Sequence, residues 1–288
     1  MLWSTGDYTK ARDIAGEAQI ALAAATDMSP MARADSQQSL AILTRNRGDL
    51  AGALRILDEA GRSDVSRGDD GQRMSFARHW LRAAIAAERG EPDAVAQLDA
   101  LHALGQKINY SFEFQAKLDW PLAWLAAGQP QRALKSYDEL IALPSAPLMR
   151  AAHRRTLLLA RGVALVQIGR NAEASQSLDQ AAAAFAGKPD KVMEAVTVQL
   201  WRGWLQVRAG HPQLGIADIE SALAWRRQQL GDDSYLTAET RLAHAEALSK
   251  LGRHDAALIE QAQARAVLAA QLAPQHALRR RAELPLPR

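Results

Sequence analysis

Residues 157–185 read LLLARGVALVQIGRNAEASQSLDQAAAAF, and this stretch decides the fold class. Apolar residues recur at intervals of three and four on both sides of Gly169, which is the pattern of two amphipathic helices. Glycine suits a helix end because, lacking a Cβ atom, it adopts the left-handed backbone conformation without steric cost. The stretch therefore predicts a helix, a tight turn at Gly169 and a second helix.

The same turn recurs along the whole chain. Small residues stand five positions after the glycine and seven before it, as at Ala174 and Gly162, and they allow two helices to approach closely. Proline follows some of these glycines at the start of the next helix, where its missing N–H costs nothing. Successive turn glycines are 42, 42, 38, 41, 41 and 42 residues apart: Gly6, Gly48, Gly90, Gly128, Gly169, Gly210 and Gly252. This period predicts an array of helical hairpins.

These positions resemble the motif of the tetratricopeptide repeat (TPR) family, and the period resembles its long-helix variety, found in kinesin light chains and many bacterial regulators. The resemblance implies an all-α, right-handed α-solenoid of helix-turn-helix repeats over residues 1–272, with a half repeat over 1–29 and about six hairpins. Residues 273–288 are expected to form a short cap, helical over 275–283, and a frayed tail. Pro121 stands where the motif has a small residue, so we expect a kink or a helix restart there.

The array begins in the middle of a repeat, because only five residues precede Gly6. The opening helix, over about residues 8–26, therefore lacks the helix that precedes it in a complete hairpin. Three explanations stay open: the array continues in a missing N-terminal region, the start codon is misassigned, or the protein associates through this edge. The apolar face left unpaired bears Ala11, Ile14, Ala15, Ala18 and Leu22.

Composition and motifs narrow the function classes. The 288 residues contain no cysteine, which excludes thiolate catalysis and Cys-ligated metals. The sequence has no HExxH pair, no GxxxxGK[ST] loop and no GxSxG elbow, and its seven histidines are not spaced with carboxylates as a metal site requires. We therefore predict no enzyme activity, no metal site and no cofactor.

Charge and hydropathy restrict the partners. The 35 Lys and Arg residues exceed the 32 Asp and Glu residues by only three, a weak bias for a nucleic-acid-binding protein. Basic clusters at residues 150–161 and 279–281 are interpreted as solvated surfaces, with phosphate or nucleic-acid contact as the alternative. No apolar run approaches the roughly 20 residues that span a bilayer, so we expect a cytoplasmic protein without membrane insertion.

The TPR resemblance also implies where a partner binds. Ligand contacts in that family concentrate at positions 13, 10, 6 and 3 residues before each turn glycine, a set that we call the stripe. The stripe is apolar in the four central repeats and polar in the first and last. Its apolar part is either a groove for a peptide or helix, with Trp80, Trp204 and Trp124 as anchors, or core between helices. The candidate groove residues are Trp80, Leu118, Leu122, Leu125, Leu159, Val163, Val166, Leu200, Trp204 and Val207.

We therefore predict a non-catalytic protein–protein interaction scaffold that binds a peptide or helix of another protein in its concave groove. The alternative is that the chain is the C-terminal regulatory or sensor portion of a larger bacterial signalling protein. In that case a serine/threonine kinase or DNA-binding domain lies elsewhere in the longer chain.

Overall fold

A computed structural model describes residues 8–62, 68–107, 115–142, 151–187 and 192–287. Within these ranges the chain forms fourteen helices and no strand, which confirms the all-α class. In chain order the helices are α1 (Tyr8–Ala24), α2 (Pro30–Asn46), α3 (Leu50–Arg62), α4 (Gly68–Arg89), α5 (Ala94–Lys107), α6 (Gln115–Ala126), α7 (Pro130–Ala142), α8 (Ala151–Gln167), α9 (Asn171–Phe185), α10 (Val192–Arg208), α11 (Pro212–Leu230), α12 (Tyr235–Lys250), α13 (His254–Gln271) and α14 (Ala277–Glu283).

Six of the repeat glycines join helix pairs that pack against each other, and we number these pairs hairpins 1 to 6. They are α2–α3, α4–α5, α6–α7, α8–α9, α10–α11 and α12–α13. All six glycines have φ between +71° and +91°, the conformation that the sequence predicts for them. At Gly169, for example, the glycine N–H donates to the Val166 carbonyl and the Arg170 N–H to the Leu165 carbonyl, which closes the end of α8. Gly6 lies outside the described residues.

The small residues of the repeat allow close helix contact. A Cβ atom on Gly203 would lie 2.6 Å from the Gly215 carbonyl oxygen, and one on Gly215 would lie 2.2 Å from the Gly203 oxygen. The backbones of α10 and α11 therefore touch at a distance that only glycine permits. In hairpins 1 and 6 alanines fill the same positions and are fully buried.

Successive hairpins also pack on one another. From α4 to α12, each first helix contacts the first helix of the next hairpin. The apolar core follows this stacking in three clusters: one in the N-terminal hairpins and hairpin 6, one around α4 to α8, and one around α8 to α12.

The two ends of the array are bonded to each other by a group of contacts that we call the clasp. The turns of hairpins 1 and 2 lie against the start of α12 and the residues that follow α13. Tyr235 donates its backbone N–H to the Gly48 carbonyl (3.2 Å) and its hydroxyl to Glu88. The Ala273 N–H donates to the Arg89 carbonyl at 2.8 Å. The array therefore closes on itself, which its sequence pattern does not predict.

Pro121 and the C-terminal tail are two places where the sequence departs from the repeat. Helix α6 continues through Pro121, so the helix restart that we considered there does not occur. Residues 284–287 are not frayed, because the Ser249 hydroxyl donates to the Pro287 carbonyl at 2.8 Å and the Gln261 amide to the Leu284 carbonyl at 2.7 Å. The expected cap helix is present as α14.

Helix α1 carries the apolar face that the sequence leaves unpaired. Ile14 is 42% exposed, whereas Ala15 and Leu22 pack partly against the core cluster of the N-terminal hairpins. The side chain of Ala11 lies outside the described residues. Helix α1 also contacts α11 of hairpin 5, so one side of α1 is covered by the array.

Candidate functional site

The first section of the stripe is polar and is bonded to the next hairpin. The Arg45 guanidinium on α2 pairs with Glu88 on α4 at 2.7 Å, and Asp35 pairs with Arg78 at 3.4 Å. These pairs hold α2 against α4, and they agree with the polar character predicted for this repeat.

Apart from Ile42 on α2, which is 39% exposed, the accessible apolar part of the stripe lies on α4 and α6. Trp80 on α4 and Leu122 and Leu125 on α6 are only partly buried, and we call these three residues the Trp80 surface. The Trp80 ring lies 4.2 Å from the Trp120 ring, centroid to centroid, which ties the two helices together. The side chain of Leu118 lies outside the described residues.

Trp124 does not belong to this accessible surface. It is 3% exposed, and the Arg132 guanidinium carbon lies 3.5 Å from the centroid of its ring. Arg132 also bonds Asp99, and this hydrogen bond lowers the pKa of the Asp99 carboxyl. The ring is thus covered by the chain's own cation, and as an anchor for a partner Trp124 is inaccessible in this structure.

The remaining candidate groove residues lie in the core. Gly162 and Gly203 bring the first helices of hairpins 4 and 5 close to their own second helices, and these two first helices, α8 and α10, also contact each other, so the stripe is buried here. These side chains are available for packing and not for a ligand, which is the second of the two interpretations above. None is more than 9% exposed: Leu159, Val163, Val166, Leu200, Trp204 and Val207.

Trp204 has a polar partner within this core. Its indole Nε1 donates to Glu246 Oε2 at 2.8 Å, and the two residues occupy the same stripe position in successive hairpins. The other Glu246 oxygen accepts from the Arg281 guanidinium of α14. The Glu246 side chain is 3% exposed, so its charge is held by these two donors and not by water.

The stripe of hairpin 6 is polar, as predicted, but it is buried and not exposed to solvent. Arg226, 1% exposed, donates to Glu239 at 2.8 Å, to Thr240 at 2.9 Å and to Thr197 at 3.1 Å. This network joins α11, α12 and α10. A buried arginine is tolerated because its two terminal nitrogens donate to acceptors on α10 and α12.

The two basic clusters are only partly solvated. Arg161 lies 3.8 Å from Asp138 and 4.0 Å from Glu173, so nearby carboxylates compensate its charge. Arg154 is exposed, and Arg150 and the side chain of His153 lie outside the described residues. In the C-terminal cluster, Arg279 donates to the Ala269 and Leu272 carbonyls at the end of α13, and Arg281 bonds Glu246. Arg279 and Arg281 are therefore only partly exposed and also bond within the fold.

The part of the chain that the structure describes contains no group of three or more histidines and carboxylates placed to hold a metal ion. In the same ranges, no helix combines the length and the hydropathy that a membrane-spanning segment requires.

Sequence reasoning missed the polar contacts between hairpins, although the sequence carries a signal for them. Trp204 and Glu246 are 42 residues apart, and Arg45 and Glu88 are 43 apart, which is one period in each case. Residues one period apart lie on neighbouring first helices. Complementary side chains at that separation therefore indicate contacts between hairpins.

No family model and no curated protein matches the chain.

Proposed function

We propose that the chain is a non-catalytic scaffold, a right-handed TPR-like solenoid that binds a peptide or helix of another protein on the stripe of its first helices. One observation supports this function above others: Trp80, Leu122 and Leu125 stay partly exposed, whereas the stripe of the later hairpins is buried. Partly exposed tryptophan and leucine side chains on packed helices are the residue types that anchor binding partners.

The Trp80 surface suits binding because its side chains are held before a partner arrives. The Trp80 ring rests against Trp120, and Leu122 packs against the core cluster around α4 to α8. Side chains that are already ordered lose little conformational entropy on binding, so more of the contact energy contributes to affinity.

The test is to select peptide ligands for the full chain from a displayed library of random 16-residue peptides. Binding of a selected peptide is then measured by fluorescence anisotropy. Trp80→Ala and Leu122→Asp should each weaken binding by about thirtyfold or more, because removing a central anchor typically costs above 2 kcal/mol. The melting temperature of each variant should stay close to that of the unaltered chain, so that the loss of affinity does not come from unfolding.

Two controls make the result interpretable. Arg154→Glu alters an exposed residue away from the Trp80 surface and should leave affinity unchanged. Trp204→Ala removes a core side chain and should lower stability by about 3–5 kcal/mol, without a selective binding defect in the protein that remains folded. The proposal fails if no library peptide binds, or if Arg154→Glu abolishes binding while Trp80→Ala does not.

A further inference from the structure

The C-terminal segment, residues 273–287, lies along hairpin 6 and covers its stripe. Leu278 packs against two of the three core clusters, and Ala282 is 1% exposed. At its start the segment bonds the turn of hairpin 2, where the Gln275 amide donates to the Gly90 carbonyl at 2.7 Å. At its end the Pro287 carbonyl accepts from Ser249. The segment thus contacts the array through apolar side chains and hydrogen bonds, the same kinds of contact that a separate bound peptide makes.

The binding energy of this segment comes from its contacts and not from its own structure. Helix α14 has seven residues, fewer than an isolated helix needs to be stable in water. The peptide chain joins it to α13 through the five residues 272–276. A separate peptide with the same side chains is therefore able to make the same contacts.

Glu246 makes this surface selective. Its buried carboxylate bonds Trp204 from within the array and Arg281 from the segment. When the segment leaves, the Glu246 carboxylate loses its only cationic partner among the described residues. A peptide that covers the carboxylate again without supplying a cation would bury an unpaired charge, which is strongly unfavourable. Arginine suits the position because its planar guanidinium presents several fixed donors to a carboxylate.

We propose that the stripe of hairpin 6 is a binding site for a short helical peptide whose arginine pairs with Glu246, with leucine or alanine at the positions of Leu278 and Ala282. The chain's own segment occupies this site in the resting protein, and a partner of this chemistry binds by displacing it. This inference rests on the proposed function as a protein-binding scaffold and names a second surface and the class of its ligand.

The experiment uses the full chain and a fluorescein-labelled synthetic peptide of residues 273–288 as the probe. In the unaltered chain the attached segment competes at an effective concentration near the millimolar range, so the probe should bind weakly. Arg281→Ala weakens the attached segment and leaves Glu246 free, so this variant should bind the probe at least tenfold more tightly. Adding Glu246→Gln to Arg281→Ala should remove that gain.

The matched control is Arg280→Ala, which alters the exposed neighbouring arginine and should bind the probe like the unaltered chain. Equal probe binding by the Arg281→Ala and Arg280→Ala variants would overturn the proposal and leave the segment as a fixed part of the fold. That outcome would not affect the proposed function, because library peptides that depend on Trp80 would still bind.

A second measurement needs no variant, should Arg281→Ala fold poorly. Hydrogen exchange of the unaltered chain is followed by mass spectrometry with an excess of the peptide made from heavy isotopes. Displacement should speed exchange of the chain's own residues 277–284 while α12 and α13 stay protected. Unchanged exchange with the peptide at millimolar concentration would contradict displacement.

Discussion

At the scale of single residues, His276 makes stability depend on pH. It lies against Gly90, and its Nδ1 accepts from the Leu278 N–H at 3.1 Å, which caps the start of α14. Burial lowers the pKa of His276 to about 4; the Glu88 carboxylate opposes this shift and Arg280 adds to it. In the unfolded chain the pKa is near 6.5. Between these two values the unfolded state binds a proton that the folded state does not.

The contribution of His276 to the free energy of unfolding should therefore be complete above about pH 6.5 and fall as the pH drops from there towards 4. The loss attributable to His276 is about 2–3 kcal/mol at pH 4.5, since each unit of pKa difference corresponds to about 1.4 kcal/mol. Urea unfolding at pH 7.5 and pH 4.5 measures it. His276→Asn removes the titrating group and keeps a residue able to cap, so it should lose correspondingly less stability. Equal losses in both proteins would show that other groups cause the dependence.

The same scale shows why sequence alone placed the candidate site only in part. Trp80 and Trp204 are both stripe residues in apolar repeats, and the pattern does not distinguish them. The difference comes from their neighbours: Trp204, on α10, is buried in the core cluster around α8 to α12 and bonds Glu246 of the next hairpin, whereas Trp80 keeps an open side. Burial depends on the distance between whole helices, which a local residue pattern does not contain.

At the scale of helices, the turn glycines carried most of the predictive power. A glycine is needed wherever the backbone takes a positive φ, so six described turns follow from six positions in the sequence. Pro121 shows the limit of such rules. Proline removes one helical hydrogen bond, yet α6 continues past it, because the packing of α6 on α4, α7 and α8 outweighs a single local preference.

Close helix contact at Gly203 leads to a prediction at this scale. Gly203→Ala places a Cβ atom 2.6 Å from a backbone oxygen of α11, so the two helices must move apart and the protein should lose about 1–3 kcal/mol. Gly16→Ala on α1 is the matched control, because a Cβ atom added there would meet no neighbouring atom within 4 Å. There alanine should stabilise by up to about 1 kcal/mol through its higher helix propensity. Chemical denaturation of the two variants should show opposite signs, and a neutral Gly203→Ala would contradict the close approach.

At the scale of the whole molecule, the clasp separates this array from a linear one. In a linear solenoid each repeat contacts only its neighbours, and stability is a sum of repeat and interface contributions. Here hairpins 1 and 2 are bonded to hairpin 6. The repeat pattern did not predict this closure, because it arises from small rotations between hairpins that accumulate over the array. A period of about 41 residues does not encode those rotations.

Closure predicts that the number of repeats and the clasp are coupled. Deleting residues 170–210 removes one period and joins Gly169 to His211, so a glycine still precedes Pro212 at the turn. The deletion removes α9 and α10 and joins α8 to α11 as one hybrid hairpin. Its small residues Gly162 and Gly215 stand at the repeat positions, so the shortened chain should stay helical by circular dichroism. The ends of the array, however, are displaced by one hairpin and no longer meet.

Tyr235→Phe reports on that displacement, since it deletes only the hydroxyl that donates to Glu88. In the full chain the loss of this hydrogen bond to a charged acceptor should cost about 1.5–3 kcal/mol. In the shortened chain the same substitution should change stability by less than about 0.5 kcal/mol, as expected for a side chain without a partner. Urea unfolding of the full and the shortened chain, each with and without Tyr235→Phe, measures the four free energies of a double-mutant cycle. An equal loss of unfolding free energy in both chains would mean that Tyr235 contacts Glu88 whatever the number of hairpins. The closure of the array would then not depend on the rotations between successive hairpins.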